Sequence, residues 1–272
     1  MFIIYMLLLL LIIAFLLYLI CKDRGIEGFI LNDSELDECE TIPGTHKSIA
    51  MNDEYYYEIN DMKITKYSKM TNMLLKSVNM YGEPRVKHLN SGIVIGKYIY
   101  VCNNPDEYNT IEVFDLDMNH KYFIDVVGNT GSLQAIEYYQ GRWWGCFVHD
   151  GKDAKNTILV EFYAPRVDAT ESNKVKWTIR NRYFFPKCVY DKLGSGSING
   201  FVFGPNGLLY ASMNNSDDIY VMRFYWNTAS LAMDHVINAG SSGNIIWNKS
   251  RDKCYVYNKN ASSKITNVPI VQ

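Results

Sequence analysis

No C-x-x-C pair occurs among the six cysteines (Cys21, Cys39, Cys102, Cys146, Cys188 and Cys254), which excludes a zinc ribbon or a thioredoxin-type redox motif. A basic excess is missing too: 27 Lys and Arg against 29 Asp and Glu leave a net charge of −2, so the chain has no electrostatic footprint for nucleic acid. The five histidines (His46, His88, His120, His149 and His235) show neither H-x-x-x-H nor H-E-x-x-H spacing, which removes the helical zinc-protease motif. GSGSING, from Gly194, lacks the G-x-S-x-G nucleophile elbow, and GNTGS, from Gly128, lacks the lysine and helix of a P-loop. Amphipathic helical spacing is nearly absent after residue 24. What remains is a chain that is 48% hydrophobic and 14% aromatic, mostly tyrosine, enough to build a core.

One long apolar run stands at the N-terminus. FIIYMLLLLLIIAFLLYLI, residues 2–20, holds no charge, glycine or proline and matches the thickness of a bilayer core. It lacks the basic start, short apolar core and small-residue cleavage site of a secretory signal. Residues 1–21 are therefore expected to be an uncleaved transmembrane anchor of a single-pass membrane protein. Lys22 and Arg24 follow it, and the positive-inside bias places the main domain in the cytoplasm. Residues 22–44, with Glu35, Asp37, Glu38 and Glu40, read as an acidic tether that could donate one strand to the domain behind it.

Residues 45–272 carry an internal repeat. A turn residue followed by an aromatic, apolar strand opens each unit: DEYYYEI from Asp53, GKYIYVC from Gly96, GRWWGCF from Gly141, GLLYASM from Gly207 and DKCYVYN from Asp252. These starts are 43 to 45 residues apart, except for one interval of 66. A polar opening to an alternating strand follows, as in NDMKITKY from Asn60, NTIEVFDL from Asn109, NTILVEFY from Asn156 and DDIYVMRF from Asp217. A third apolar stretch closes the unit (KYFIDVV, KWTIRNRYFF, LAMDHVI), and a further short one precedes each turn residue. Four short strands per unit of about 40 to 45 residues is the signature of a β-propeller. The expected fold is all-β, with five four-stranded blades, or six if the long interval hides one. A strand from residues 26–43 would close the ring and remove an exposed edge. Cys102, Cys146 and Cys254 lie inside the strand-like runs, where a free cysteine acts as a small buried hydrophobe.

In such a ring the first strand of each unit lines the central channel. Its entry segments here are HLNSG, SLQAI, SINGF and SGNII, and each carries an amide: Asn90, Gln134, Asn199 and Asn244. His88 precedes the first of them, and the first unit has THKSI with His46. This set, His88, Asn90, Gln134, Asn199 and Asn244, is the candidate binding site for a polar ligand or a cation. The competing reading is that the amides cap unpaired backbone groups where strands begin. Trp143 and Trp144 adjoin in one strand and must point to opposite faces.

The stretch NGFVFGPNGLLYASMNNSDDIYVMRF, from Asn199 to Phe224, resembles the NG-x-x-aromatic-x-PDG-x-LY phrase of calcium-dependent lactonase and arylesterase propellers. It is similar as well to the strictosidine-synthase and NHL-repeat groups. The resemblance implies a metal-ligand role for Asn199 and a calcium-dependent hydrolase with its site at the channel mouth. The pattern departs where that group needs carboxylates: the first unit enters with THKSIAM and the unit after Asn199 with SSGNIIW. A hard cation wants several oxygens, carboxylates among them. The leading expectation is thus a membrane-anchored module that binds a protein or a small polar ligand without a cofactor, with no nucleic-acid partner. The alternative is the calcium-dependent hydrolase.

Overall fold

The computed structural model describes residues 40–41, 48–104, 109–128, 131–149, 155–168, 174–193, 198–213, 216–239, 243–247, 254–258 and 264–268. The apolar segment 2–20, the tether as far as residue 39, and His46 lie outside the described residues. No helix among the described residues is long and apolar enough to cross a membrane.

The fold is all-β and curls into a nearly closed, barrel-like arrangement. The chain begins its description at β1 (Glu40–Thr41). Five antiparallel runs follow among the described residues. The first is β2 (Ser48–Met51), β3 (Tyr55–Asn60), β4 (Lys63–Ser68) and β5 (Leu74–Asn79). The second is β6 (Leu89–Ile95), β7 (Tyr98–Asn103), β8 (Asn109–Asp115) and β9 (His120–Val127). The third is β10 (Ser132–Tyr139), β11 (Arg142–Val148), β12 (Ile158–Phe162) and, beyond the short β13 (Arg166–Asp168), β14 (Lys174–Phe184). After helix α1 (Lys187–Leu193) come β15 (Ile198–Phe203), β16 (Leu209–Met213), β17 (Asp218–Tyr225) and β18 (Ser230–Asn238). The last is β19 (Ile245–Trp247), β20 (Cys254–Asn258) and β21 (Lys264–Val268), with β1 paired antiparallel to β21 as its fourth strand.

Each aromatic opening phrase of the repeat becomes the second strand of a run, and the polar-opening phrases become the third. Period-two alternation explains why. These strands are covered on both faces, so aromatic and β-branched residues fill both sides of the pleat. The 66-residue interval holds no extra four-stranded run among the described residues. It is taken up by β13, by the 11-residue β14 and by α1. β14 is long enough to serve two neighbours: its first half runs parallel to β9, and Phe184 at its end pairs in parallel with Ser230 of β18. It thereby joins three successive runs into one 13-stranded sheet.

The core is divided into five clusters, one at every junction between runs. Tyr57, Ile59 and Ile64 meet Leu89, Val101 and Phe114 between the first and second runs. Cys102, Ile111 and Val113 meet Trp143, Phe162 and Trp177 between the second and third. Trp144, Cys146 and Leu159 meet Phe203, Phe224 and α1 between the third and fourth. Val202, Tyr210 and Ile219 meet Trp247, Cys254 and Val256 between the fourth and fifth. Ile49, Tyr56 and Tyr67 meet Ile246 and Tyr255 where the last run reaches the first. Adjacent residues along a strand therefore feed different junctions, and Trp143 and Trp144 do so with both rings buried. At about 1.5–3 kcal/mol for each large apolar side chain fully buried, no run can secure its core without both neighbours. The three strand cysteines Cys102, Cys146 and Cys254 are fully buried free thiols. Burial pushes the Cys102 thiol up to about 12 and raises Cys146 and Cys254 well above the ordinary thiol range, so all three stay protonated packing groups.

Candidate functional site

The first strands of the runs, β2, β6, β10, β15 and β19, together surround a cavity of about 460 Å³. Antiparallel pairing puts the turns after the first and third strands of a run at one end of the molecule. The connections into the first strands lie at the other. The cavity opens at the turn end, because its lining runs from the middle of these strands to the Asn52–Glu54 turn, Gly96, Tyr138 and Trp247.

The middle is narrow by design of the sequence. Three of the five strands carry a register shift near their start, between Leu89 and Gly92, Leu133 and Ala135, and Ile198 and Gly200. The residue after each shift is small: Gly92, Ala135 and Gly200. A β-carbon on Gly200 would stand 1.8 Å from Asn244 Oδ1 and 2.9 Å from the Ile245 backbone nitrogen. One on Gly92 would stand 2.9 Å from the Tyr100 carbonyl oxygen. Small residues let neighbouring strands approach here, and the bulges bend the strands around the axis.

The predicted amides fall at these bulges. Asn90, Gln134 and Asn199 occupy the shifted positions themselves, where the ladder is interrupted. Asn90 is buried and its Nδ2 donates to Asn104 Oδ1 at 2.6 Å. Asn244, 3% exposed, donates from Nδ2 to Ser48 Oγ at 2.6 Å and to the Ile49 carbonyl at 3.4 Å, which ties the last run to the first. His88 Nε2 sits 3.1 Å from Asp61 Oδ1. Of the five predicted residues Asn244 lines the cavity; His88, Asn90, Gln134 and Asn199 are not among its lining residues. No group of three or more His, Cys, Asp and Glu side chains that could hold a metal exists among the described residues.

The charged groups among the described lining residues are carboxylates: Asp53, Glu54 and Glu137. Glu137 is 5% exposed and accepts a hydrogen bond from the Tyr138 backbone N–H at 2.7 Å. Counted from the bulge, it stands where β6 has Val94 and β15 has Val202, so a carboxylate replaces an apolar residue of the repeat. Its charge reaches across the axis: after burial, it is the second cause that raises the Cys254 thiol. Asp53 and Glu54 are presented by a locked turn, in which Asn52 Oδ1 accepts from the Glu54 and Tyr55 backbone N–H groups at 2.9 and 2.8 Å. The rest of the lining is mixed: Ala50, Ile93, Ala135 and Phe201 are apolar, and Asn52, Ser91 and Asn244 are polar. Ser91 Oγ lies 3.8 Å from the Cys102 sulfur, and no histidine stands among the described lining residues. Leu116 completes the wall from the β8–β9 turn, where its carbonyl accepts from Tyr57 Oη at 3.1 Å and Lys66 Nζ at 2.8 Å.

Glu137 lies outside the recurring amide series, and its own signal in the sequence is a break in the repeat. A glutamate inside the apolar run LQAIEYY breaks the repeat at one unit only, and a departure from a repeat is where a scaffold adds chemistry.

No protein-family model matches the sequence, and no curated protein matches it. Among solved structures, the chain is similar to the extracellular domain of a one-component-system candidate from B. thetaiotaomicron, at 14% identity and a TM-score of 0.43. That match covers 90% of this chain and 29% of the other, so the chain spans less than a third of that protein. A protein of unknown function from Bacteroides caccae aligns at 9% identity over 79% of this chain and 73% of its own, with a TM-score of 0.45. A chain of a mitotic checkpoint complex aligns at 6% identity over 92% and 97%, with a TM-score of 0.47. The likenesses are loose, and the functional reading stands on the geometry of the chain itself.

Proposed function

We propose that this chain is a five-bladed propeller that binds a small cationic ligand on its axis, with residues 2–20 as a membrane anchor. Each antiparallel run is a blade, and the pairing of β1 with β21 supports ring closure by a strand from the other end of the chain. The observation that carries the binding reading is the axial cavity, whose charged lining groups among the described residues are Asp53, Glu54 and Glu137, set beside apolar side chains such as Ile93 and Phe201. A volume of about 460 Å³ lies within the range of small-ligand pockets. Carboxylates of one sign beside apolar side chains favour an ammonium or guanidinium head on a partly hydrocarbon body. Binding rather than turnover is favoured because the Ser91 hydroxyl meets a protonated thiol instead of a base. The cytoplasmic placement of the domain rests on Lys22 and Arg24.

A matched pair of probes tests this. Calorimetric titration with cyclohexylmethylamine and with neutral cyclohexylmethanol should show the amine binding at least tenfold tighter. Glu137→Gln should erase most of that difference. Equal affinity for the alcohol, or no binding of either, would sink the proposal. A compartment-sensitive reporter fused to Gln272 reads the side of the membrane independently.

A further inference from the structure

A second, larger cleft of about 740 Å³ lies at the same end of the molecule, between the third and fourth runs, and has no part in the axial site. Its floor is a staircase of rings. Tyr139 stacks on Phe203 with centroids 4.6 Å apart and planes 11° from parallel, Phe203 on Phe224 at 5.4 Å and 23°, and Phe224 on Trp226 at 4.7 Å and 13°. Trp226 ends the stack and is 58% exposed. It sits on a short 3-10 turn, Trp226–Thr228, closed by Ala229 in the left-handed region at φ +47°. Tyr183 meets it edge-on from inside at 5.7 Å and 89°, and Trp144 braces it at 6.3 Å. One face of the indole is thus held by the core while more than half of the residue stays in solvent.

Polar groups of both kinds flank this platform. Arg223 donates from Nε and Nη2 to Asp234 Oδ1 at 3.2 and 2.7 Å, and His235 Nδ1 lies 2.9 Å from Asp234 Oδ2. Burial works to raise the Asp234 carboxyl, but His235 and Arg223 outweigh it and hold the group below its usual range, so it is ionised at neutral pH. On the opposite side Arg142 is fixed by Glu161, which also accepts from Arg180 and Asn181. Two guanidinium groups and a carboxylate therefore line the cleft in set positions.

We infer that this cleft binds a saccharide, with a pyranose ring laid on Trp226 and its hydroxyls held by Arg142, Arg223 and Asp234. A sugar presents an apolar C–H face to an indole and hydroxyls that both donate and accept. A lining of donors beside an ionised acceptor suits such hydroxyls. A planar aromatic anion would use the platform and the guanidiniums but would meet the Asp234 charge as repulsion. The stack is preorganised, so the ligand does not bear the cost of ordering it.

Titration of the full chain with cellohexaose, maltohexaose and chitohexaose, followed by calorimetry, is the test. At least one should bind with a submillimolar Kd. Trp226→Ala should weaken that binding at least tenfold, and Trp226→Phe should stay within threefold. Trp226 is exposed, and unchanged thermal melts of both variants would show that the loss is one of contact. Binding of none of the three, or binding that survives Trp226→Ala, overturns the inference. So does tighter binding of 1-naphthalenesulfonate than of any saccharide at the same platform.

Discussion

At their starts the inner strands bury the amides of Asn90 and Asn244 against neighbouring polar groups of the fold, whereas at the turn end carboxylates border open volume. Both ends are polar, but the sequence reading picks out only the amides at the starts. The difference is what each end borders, a packed neighbour at the starts and open volume at the ends. Asn244 spends its amide on Ser48 and Ile49, and Asn90 spends its own on Asn104. Asp53, Glu54 and Glu137 instead border a cavity of about 460 Å³. The amide recurs at four of the five entry segments and packs within the fold at Asn90 and Asn244, while Glu137 departs from the repeat and borders the cavity.

The sharpest way to break this contrast is at the waist between the two ends. Gly200→Ala places a β-carbon against Asn244 Oδ1 and the Ile245 backbone, neither of which is a flexible chain end. It should cost about 3 kcal/mol of stability in urea unfolding, as overpacking does. Next comes Asn244→Ala, which leaves the Ser48 hydroxyl and the Ile49 carbonyl without their buried donor. A loss of about 2 kcal/mol is expected. An unchanged midpoint would mean that ring closure does not depend on this amide.

A smaller effect sharpens the comparison by showing that some carboxylates at the turn end are structural. Asp115 accepts from the Asp117 and Asn119 backbone N–H groups at 3.0 and 2.9 Å, from Asn119 Nδ2 at 2.9 Å and from Lys121 Nζ at 2.9 Å. Partial burial would raise its pKa, yet the bonds from Asn119 and Lys121 prevail and hold it well below the usual carboxylate range. A depressed folded-state pKa gives stability that is present above the unfolded value, about 4, and fades as pH falls through the folded value. Asp115→Ala should therefore cost about 1 kcal/mol at pH 7. The cost should shrink steadily below pH 4, as thermal melts across pH would record.

These cases also mark what the sequence could and could not convey. The strands were legible because alternation and turn residues are local: GKYIYVC and NTIEVFDL became β7 and β8 nearly residue for residue. The contents of the long interval were not. β13 and α1 fall outside the repeat, and the parallel partners of β14 come from distant strands. The amides were legible as a series, but the bulges that position them depend on pairing between strands, which spacing alone does not encode. Glu137 does not recur: its counterparts counted from the bulges of β6 and β15 are Val94 and Val202, so a repeat pattern does not reveal it. The aromatic staircase draws on Tyr139, Phe203, Phe224 and Trp226 from three strands and a turn, so it exists only once two runs are packed together.

The most direct measurement compares both ends in one experiment: calorimetric titration of cyclohexylmethylamine into the full chain and into its Glu137→Gln and Asn199→Ala variants. The account predicts at least a tenfold loss of affinity for Glu137→Gln and a change of less than twofold for Asn199→Ala. The reverse pattern, with Asn199→Ala abolishing binding and Glu137→Gln leaving it intact, would place the ligand among the amides at the strand starts and contradict it.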